Sequence, residues 1–287
     1  MFKFNEIENK ISYRKDGCIV DGIQQNVVEY INLYVQITNI CNAKCKFCSN
    51  YGNFETPFKK EVFFEIFDEI YANKFVNKVT FTGGEPTLNK DLVECIEHVY
   101  NTDPGIFIFL DTNASNLEVL EKVSDKVKSI ALSRHHFEDD KNNEIFGFKT
   151  SSASDLNNLS IRTKSKINLR CNLINGYIDT EEKCKDYLDW ANSLQLNSVG
   201  FVKLMPYTKY AKEAYVDVDI SKIPGMLITR TSCRPGICHC KNYIYQGKYG
   251  CVVLYDKETI NKDANHNTLV LSNNRLLLGF MGEALYE

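Results

Sequence analysis

Several features are missing from this chain of 287 residues. No apolar run approaches the length of a membrane-spanning helix, and no N-terminal targeting segment is visible, so we expect neither membrane insertion nor secretion. The net charge is only -3, which argues against wholesale electrostatic binding to nucleic acid but not against a local basic patch. Internal repeats and low-complexity segments are also absent. The composition predicts a cytoplasmic globular protein with one large α/β barrel, or one domain plus a small appendage.

Cysteine, by contrast, is abundant, with eleven in the chain. Without a secretion signal, that number indicates a reducing compartment and metal binding rather than disulfides. Three of them, Cys41, Cys45 and Cys48, stand as C-x3-C-x2-C. Three thiolates on one short loop can hold three irons of a [4Fe–4S] cluster and leave the fourth iron open to bind a small molecule.

The triad has two plainer explanations. Its positions are i, i+4 and i+7, so the cysteines could instead be small core residues of a helix. The preceding run, Ile31-Asn-Leu-Tyr-Val-Gln-Ile37, alternates and is rich in β-formers, which favours a strand that leads into a loop. A structural zinc site needs four ligands, and no fourth Cys or His lies nearby in the sequence. The cluster is therefore the favoured interpretation.

A second motif follows further along the chain. The run Lys78-Val-Thr-Phe-Thr82 reads as a strand and ends in Gly83-Gly84-Glu85-Pro86. A lone Gly-Gly-Glu is a common turn. After the second strand of a chain that carries the triad, however, the glycines would let the backbone approach a ligand closely. The Glu85 carboxylate could then pair with an ammonium group.

Together these motifs resemble those of the radical S-adenosylmethionine (SAM) superfamily, in which the residue before the third cysteine is usually aromatic, as Phe47 is here. The resemblance implies that the triad binds the cluster and that the Gly-Gly-Glu segment holds the methionine amino group of SAM. It also implies reductive cleavage of SAM to a 5′-deoxyadenosyl radical, which takes a hydrogen atom from a substrate carbon.

Strands and helices alternate along the chain after a short N-terminal β-like segment in residues 1–30. Six βα units indicate a parallel sheet with helices outside, with ligands at the carboxyl ends of the strands. The resemblance implies a six-stranded partial barrel, so the predicted class is α/β: a partial (β/α)6 TIM-like barrel over residues 31–207, with a small C-terminal β-rich extension over 208–287. The predicted strands of the barrel are 31–37, 78–82, 106–112, 129–133, 166–174 and 198–204. The predicted helices cover 59–75, 89–100, 117–127, 153–163 and 180–196.

Polar strand ends complete the implied SAM site. The third strand ends in Leu110-Asp-Thr-Asn113, where the family often has Thr-Asn-Gly, and the fourth ends in a serine, which frequently touches the SAM ribose there. The fifth strand and the run Gly200-Phe-Val-Lys-Leu-Met-Pro206 resemble the GTP-cyclising enzyme of molybdenum cofactor biosynthesis, and this likeness spans 31–207. Each such residue could equally be a turn former or a helix cap. The implied contacts are Thr112, Asn113, Ser133, Asn172, Leu204 and Met205.

The other cysteines of the barrel fit its apolar layers. Cys95 and Cys184 fall on the apolar stripes of their helices. In the fifth strand, Cys171 shares one face with apolar residues, while Asn168 and Arg170 lie on the other. We expect the three cysteines in the core and the polar face toward the barrel cavity, with a solvated edge as an equal alternative for the polar pair.

A charged loop opens just past the fourth strand with Arg134, His135 and His136. Two histidines at i and i+1 point apart and rarely bind one metal, so a surface loop is expected. Because the carboxyl end of this strand faces the substrate side of a barrel, the three residues are also candidate substrate contacts.

Cysteines gather again in the predicted extension. Cys233, Cys238, Cys240 and Cys251 stand as C-x4-C-x-C-x10-C among two predicted hairpins, one of which turns at Asn273-Asn274. A module this small has little core, so a metal would help to stabilise it. The twitch and SPASM extensions of radical SAM enzymes carry auxiliary clusters. This resemblance favours a second iron–sulfur cluster, with zinc and ordinary buried cysteines as the alternatives.

The predicted function is that of a radical SAM enzyme that modifies or rearranges its substrate. A ribosomal peptide is one candidate substrate, and a nucleotide is the other; the C-x2-C-x13-C pattern of the cyclase's second cluster is absent here. A non-catalytic iron–sulfur or SAM-binding protein is the competing class, against which the intact triad and Glu85 argue. The predicted partners are SAM, the substrate and a reducing protein such as flavodoxin or ferredoxin.

Overall fold

The computed structural model describes residues 2–11, 19–20, 23–24, 30–48, 57–194, 196, 198–230, 241–245, 251–255, 268–279 and 284–286. Its strands are β1 (Ile19–Val20), β2 (Ile23–Gln24), β3 (Tyr30–Gln36), β4 (Phe75–Thr82), β5 (Phe107–Thr112), β6 (Ser129–Ser133), β7 (Lys166–Leu173), β8 (Ser198–Lys203), β9 (Met226–Arg230), β10 (Lys241–Tyr245), β11 (Cys251–Tyr255), β12 (Thr268–Ser272), β13 (Arg275–Leu278) and β14 (Ala284–Tyr286). Its α-helices are α1 (Lys60–Asn73), α2 (Leu92–Thr102), α3 (Leu117–Val123), α4 (Asp139–Phe146), α5 (Ala153–Arg162), α6 (Glu181–Ser193) and α7 (Lys209–Glu213).

Six strands, β3 to β8, pair in parallel and in chain order. Helices connect them, so each connection returns the chain to the same end of the sheet and all carboxyl ends share one edge. The predicted partial barrel is thereby confirmed. The main core lies between this sheet and the helices that cover it.

The helices bury the faces that their apolar periodicity predicts. In α2 the buried residues are Leu92, Cys95, Ile96 and Val99. Cys184 is fully buried on α6 and Cys171 on β7, so all three of these cysteines are core residues as expected. Polar capping residues fix the first turns of several helices. At α5, Ser152 and Asp155 form a reciprocal capping box.

Two helices, α4 and the five-residue α7, were not predicted. Helix α4 lies where the sequence indicates a charged loop, and it ends at Gly147, whose φ of 70° is the left-handed conformation that glycine adopts without strain. Only Asn142, Ile145 and Phe146 of this helix are buried. Its short apolar stripe gives too weak a periodicity to be recognised in the sequence.

The described strands of the extension join the barrel sheet on both of its edges. Strand β11 pairs in parallel with β8, and β12 pairs in parallel with β3. The predicted hairpins β10–β11 and β12–β13 are both present. We expected a separate module with its own hairpin pair; these strands instead continue one twelve-stranded sheet. The division at residue 207 stays a prediction.

The N-terminal residues pack outside α1. Phe4 is buried there, and its backbone N–H donates to Glu69 Oε1 at 2.9 Å. The predicted β-like segment contains the two-residue strands β1 and β2, which pair with each other. In the described part of the chain, no helix combines the length and the apolar character needed to cross a membrane.

Candidate functional site

The three cysteines of the triad lie on the cysteine loop, residues 37–48, which follows β3 without regular secondary structure. Cys41 is exposed, Cys48 is half-buried and Cys45 is buried. A turn closes the loop, where the backbone N–H of Cys48 donates to the Cys45 carbonyl at 3.0 Å. The helical alternative is therefore wrong, and the thiols lie at the carboxyl edge of the sheet.

The thiols lie near enough to one another for their charges to interact. Burial, with smaller contributions from Cys48 and Cys41, raises the pKa of Cys45 to about 12. Burial also raises the pKa of Cys41, and the Glu85 carboxylate and Cys48 add to this effect. A coordinating metal would overcome these raised pKa values, because metal binding deprotonates a thiol outright.

The donor set fits a cluster better than a single metal ion. Among the described residues, no three Cys, His, Asp or Glu side chains lie close enough to surround one ion. A [4Fe–4S] cluster makes no such demand, because each cysteine binds a different iron. Three cysteines on one loop therefore suit a cluster with one open iron and do not suit tetrahedral zinc.

Gly83 and Gly84 lie against the backbone of the cysteine loop. A Cβ atom on Gly83 would come within 2.3 Å of the Thr38 carbonyl oxygen, and one on Gly84 within 2.2 Å of the Ile40 carbonyl oxygen. The backbone N–H groups of Gly84 and Glu85 donate to these same oxygens at 2.7 and 2.8 Å. Glycine is thus required by the contact between β4 and the loop, and the expected close approach of these glycines to a ligand stays a prediction.

The Glu85 carboxylate is 1% exposed and accepts four hydrogen bonds. Its Oε1 atom accepts from the N–H and hydroxyl of Thr87 and from the Thr112 hydroxyl, and Oε2 accepts from the Asn113 N–H at 2.7 Å. Burial raises the pKa of this carboxyl, and its donors oppose that rise. Glu85 thus ties the ends of β4 and β5 together, and its expected pairing with the ammonium group of SAM stays a prediction.

Asn113 reaches from the end of β5 to the cysteine loop. Its Nδ2 atom donates to Asn42 Oδ1 at 2.8 Å and lies 4.0 Å from the Cys41 sulfur. Its Oδ1 atom accepts from the backbone N–H of Ser115 at 2.9 Å. Thr112 and Asn113 both donate to Glu85, and Asn113 lies beside Cys41, so the structure brings these predicted residues to the triad.

A second apolar cluster, separate from the main core, supports the cysteine loop. The backbone N–H of Lys44 donates to the Phe146 carbonyl at 2.7 Å, and the Thr208 hydroxyl donates to the Lys46 carbonyl at 3.1 Å. The loop is therefore held by α4 on one side and by the start of α7 on the other. The buried members of this cluster are Cys45, Ile145, Phe146, Ile174, Leu204, Ala211 and Ala214.

His135 lies between two phenylalanines at this support. Its ring is parallel to that of Phe146 at 4.9 Å and meets the edge of Phe47, from the cysteine loop, at 5.2 Å. Its Nδ1 atom accepts from the backbone N–H of Asn172 at 3.1 Å, which places the proton of the neutral ring on Nε2. Burial, helped by the nearby charge of Arg134, lowers the pKa of His135 to about 3.

Arg134 and His136 are also buried, so the expected surface loop is wrong. The Arg134 guanidinium donates to the carbonyls of His136, Phe137 and Ser151 and to Asp139 Oδ1. The guanidinium is thus fully engaged with these four acceptors and helps to hold α4 in place. The interpretation of Arg134 as a candidate substrate contact is corrected accordingly. His136 Nδ1 accepts from the Glu138 N–H at 3.0 Å, and burial lowers its pKa.

The remaining predicted contacts lie around the same edge. Ser133 is half-buried and lines a small cavity together with Asn113. Leu204 is buried in the cluster below the loop, and the Met205 carbonyl accepts from the Tyr207 N–H at 2.8 Å. Asn168, near the amino end of β7, bonds Ser129 and Ser198 on the two neighbouring strands and so bridges them. Contact of Ser133, Asn172, Leu204 or Met205 with SAM stays a prediction.

The predicted auxiliary site falls largely outside the described residues, which exclude Cys233, Cys238 and Cys240 and the side chain of Cys251. The backbone of Cys251 begins β11 and pairs with Ile244 and with Ser198, at the start of β8. Lys241, which follows the other three cysteines, pairs instead with Leu254, about 10 Å further along β11. The role of Cys251 as a fourth ligand and the auxiliary site itself therefore stay predictions.

The fold and the site define a parallel α/β barrel with a loop of three cysteines after its first strand. The sequence model of the radical SAM superfamily matches residues 35–191, more than half of the chain. The chain therefore belongs to the radical SAM superfamily, whose cofactors are a [4Fe–4S] cluster and SAM.

Curated relatives of this chain include GTP 3′,8-cyclases. That of Haemophilus ducreyi is 33% identical over 108 residues, which are 36% of this chain and 32% of the cyclase. That of Nautilia profundicola is 26% identical over 198 residues, covering 65% of this chain and 59% of the cyclase. The first of these matches thus spans about a third of the relative's length.

Solved structures share the fold over more of the chain. SuiB from Streptococcus suis, bound to S-adenosylmethionine, has a TM-score of 0.59 and 16% sequence identity, and the match covers 89% of this chain and 63% of SuiB. At this identity the likeness shows the fold alone, and it includes part of the C-terminal extension.

Proposed function

We propose that this chain is an enzyme that cleaves SAM and removes a hydrogen atom from a substrate. The proposal is carried by the position of the triad, three cysteines on an irregular loop at the carboxyl edge of a parallel barrel. When bound there, the cluster and SAM supply one-electron chemistry that protein side chains lack.

The residues around the triad hold the site in shape. Cys41, Cys45 and Cys48 would each bind one iron, and the apolar cluster beneath Cys45 shields that side of the site from water. Glu85 fixes the ends of β4 and β5, and Asn113 extends that bracing to the loop. Rigid support of this kind positions a cofactor and its substrate for reaction.

A peptide is the substrate class that we favour. SuiB has also been solved bound to its precursor peptide SuiA, and that structure matches 89% of this chain with a TM-score of 0.60 and 15% identity. The cyclase relatives support a nucleotide as the second candidate. Deuterated candidate substrates distinguish the two, since only the true substrate transfers its deuterium to 5′-deoxyadenosine.

The cluster also requires an electron donor, for which we propose an acidic protein such as flavodoxin or ferredoxin. Lys44 and Lys46 flank Cys45, and both are exposed. The Lys46 ammonium lies 5.7 Å from the centre of the Tyr210 ring. Two cations beside a ligand of the cluster would attract a negatively charged donor to the point where its electron is needed.

The enzyme function is tested by reducing the reconstituted protein with dithionite under anaerobic conditions in the presence of SAM. We expect 5′-deoxyadenosine to form above the level of a Cys45→Ala control. A negative result is repeated with candidate peptides and with GTP present, since substrate binding can be needed for cleavage. Absence of the product in every case would contradict the proposal and favour a non-catalytic protein.

A further inference from the structure

We propose that the turn between β12 and β13 holds the chain on both sides of the three cysteines, so that Asn273 and Asn274 are positioning residues for the cluster. The inference rests on the proposed function, because it gives the turn a role at the proposed cluster site. We call Gln36, Asn39, Asn273 and Asn274 the amide clamp.

The first attachment lies before the cysteines. Asn39, two residues before Cys41, donates from Nδ2 to Asn273 Oδ1 at 2.9 Å. Asn39 Oδ1 accepts in turn from Gln36 Nε2 at 2.6 Å. The Ser272 hydroxyl donates to Gln36 Oε1. A continuous chain of side-chain hydrogen bonds therefore joins the end of β3 to the β12–β13 hairpin.

The second attachment lies after the cysteines, at the entry to α1. Asn274 Nδ2 donates to the Pro57 carbonyl at 2.8 Å. The backbone N–H of Lys59 donates to Asn274 Oδ1 at 2.8 Å. The NH2 group and the oxygen of the Asn274 amide thus both bind one short stretch of backbone. Lys59, in this stretch, is 215 positions away from Asn274 in the sequence.

The turn itself does not need these amides. Asn273 and Asn274 have φ values of 51° and 59°, the left-handed conformation of a two-residue hairpin turn. Glycine adopts this conformation without strain, and asparagine adopts it at a modest energetic cost. What two asparagines add to the turn is their pair of amide groups, and both are bonded to the chain around the cysteines.

Attachment on both sides has a physical consequence for cluster binding. A stretch of chain with free ends loses conformational entropy when its three thiols are gathered around one cluster. The amide clamp fixes the two ends in the folded protein beforehand. The cluster should therefore be held more tightly when the clamp is intact.

The test compares wild type with an Asn273→Gly/Asn274→Gly variant after anaerobic reconstitution with iron and sulfide. The rate of iron release to a ferrous chelator is measured well below the unfolding temperature. The variant loses three exposed hydrogen bonds, and we expect it to release iron at least about fivefold faster, the effect that loss of one hydrogen bond commonly has. Its unfolding midpoint should change little, because relief of the left-handed turn offsets the loss of these exposed bonds.

Two matched variants identify the hydrogen bond between Asn39 and Asn273 as the cause. Asn273→Asp keeps the acceptor for Asn39 and should release iron at the wild-type rate. Asn39→Ala should release iron faster, and adding Asn273→Gly to it should change little more, because both remove the same bond.

Equal release rates in wild type and the double-glycine variant would overturn the inference, as would faster release that merely follows a lower unfolding midpoint. A wild-type protein that takes up no iron would contradict the proposed function, and the inference with it. Iron uptake with no effect of the glycines contradicts the inference alone.

Discussion

The Oε2 atom of Glu85 accepts a hydrogen bond from the backbone N–H of Asn113 at 2.7 Å, although 28 positions separate the two residues. The bond joins the carboxyl ends of β4 and β5, and the Asn113 side chain continues the connection to Asn42 in the cysteine loop. One buried carboxylate thereby links two strand ends to the proposed cluster site.

Replacing Glu85 with glutamine should therefore weaken this edge. Glutamine replaces one accepting oxygen of the carboxylate with an NH2 group. A buried donor that now bonds this oxygen would lose its partner, at a cost of about 1–3 kcal/mol. We expect the free energy of unfolding in urea to fall by that amount and the affinity for SAM to decrease. In the control Glu94→Gln, an exposed partner of Lys60 is changed, and stability should vary by less than about 0.5 kcal/mol. Equal stability of both variants would contradict this account.

Local pattern was sufficient to predict the parallel sheet with its helices, while the partial barrel was implied by the resemblance to a family. The alternation around Ile31–Ile37 and the apolar stripe of α2 each depend on neighbouring residues, and the structure confirms both, together with the irregular loop that carries the triad. Burial of Cys95 and Cys184 followed from the same periodicity.

Long-range pairing could not be predicted in this way. Strand β12 joins β3 through partners such as Leu269 and Leu33, and no local signal specifies which distant strand a strand will meet. The helix α4 depends on Arg134 and Asp139, which sequence reasoning assigned to a solvated loop. The structural role of Glu85 depends on donors from two other segments, Thr112 and Asn113 among them, which only the fold brings together.

Replacement of any one triad cysteine with alanine should abolish the SAM-binding cluster. Each thiolate binds a different iron, so the two that remain cannot retain the cluster. Wild type should contain about four irons per chain from this site after reconstitution, and the variants should lose them. Cys95→Ala and Cys184→Ala are matched controls, because both thiols are buried on helices away from the loop. Full iron content in a Cys41, Cys45 or Cys48 variant would refute the assignment.

His135 should make the protein less stable as the pH falls from 7 to 5. Its folded pKa of about 3 lies below the unfolded value of 6.5, so the unfolded chain takes up the proton first. The resulting loss is about 2 kcal/mol at pH 5 relative to pH 7. Urea unfolding of cluster-free protein at both pH values measures it. His135→Phe keeps an aromatic ring but takes up no proton, so its pH dependence should be smaller by this amount; an unchanged dependence would contradict the assignment.

Arg134 should matter for stability and not for substrate recognition. A lysine ammonium cannot reach the four acceptors of the guanidinium, so Arg134→Lys leaves buried carbonyls without donors. We expect a loss on the order of 3 kcal/mol in the free energy of unfolding. Arg162→Lys, at an exposed pair with Glu121, should cost less than about 0.5 kcal/mol. A stable Arg134→Lys protein with a raised KM for substrate would restore Arg134 as a substrate contact.

Lys44 and Lys46 should govern the rate at which a protein donor reduces the cluster. Charge reversal in Lys44→Glu/Lys46→Glu replaces attraction of an acidic flavodoxin with repulsion, so reduction should slow by about tenfold at low salt. The difference should shrink as ionic strength rises, because exposed charges are screened. Dithionite, a small reductant, should reduce both proteins to the same extent, which shows that the cluster itself is intact.

Lys164→Glu is the matched control, since Lys164 is exposed before β7, at the opposite edge of the sheet. Stopped-flow absorbance at several salt concentrations measures these rates, and equal slowing by Lys164→Glu would attribute the effect to net charge and exclude a docking site at Lys44 and Lys46.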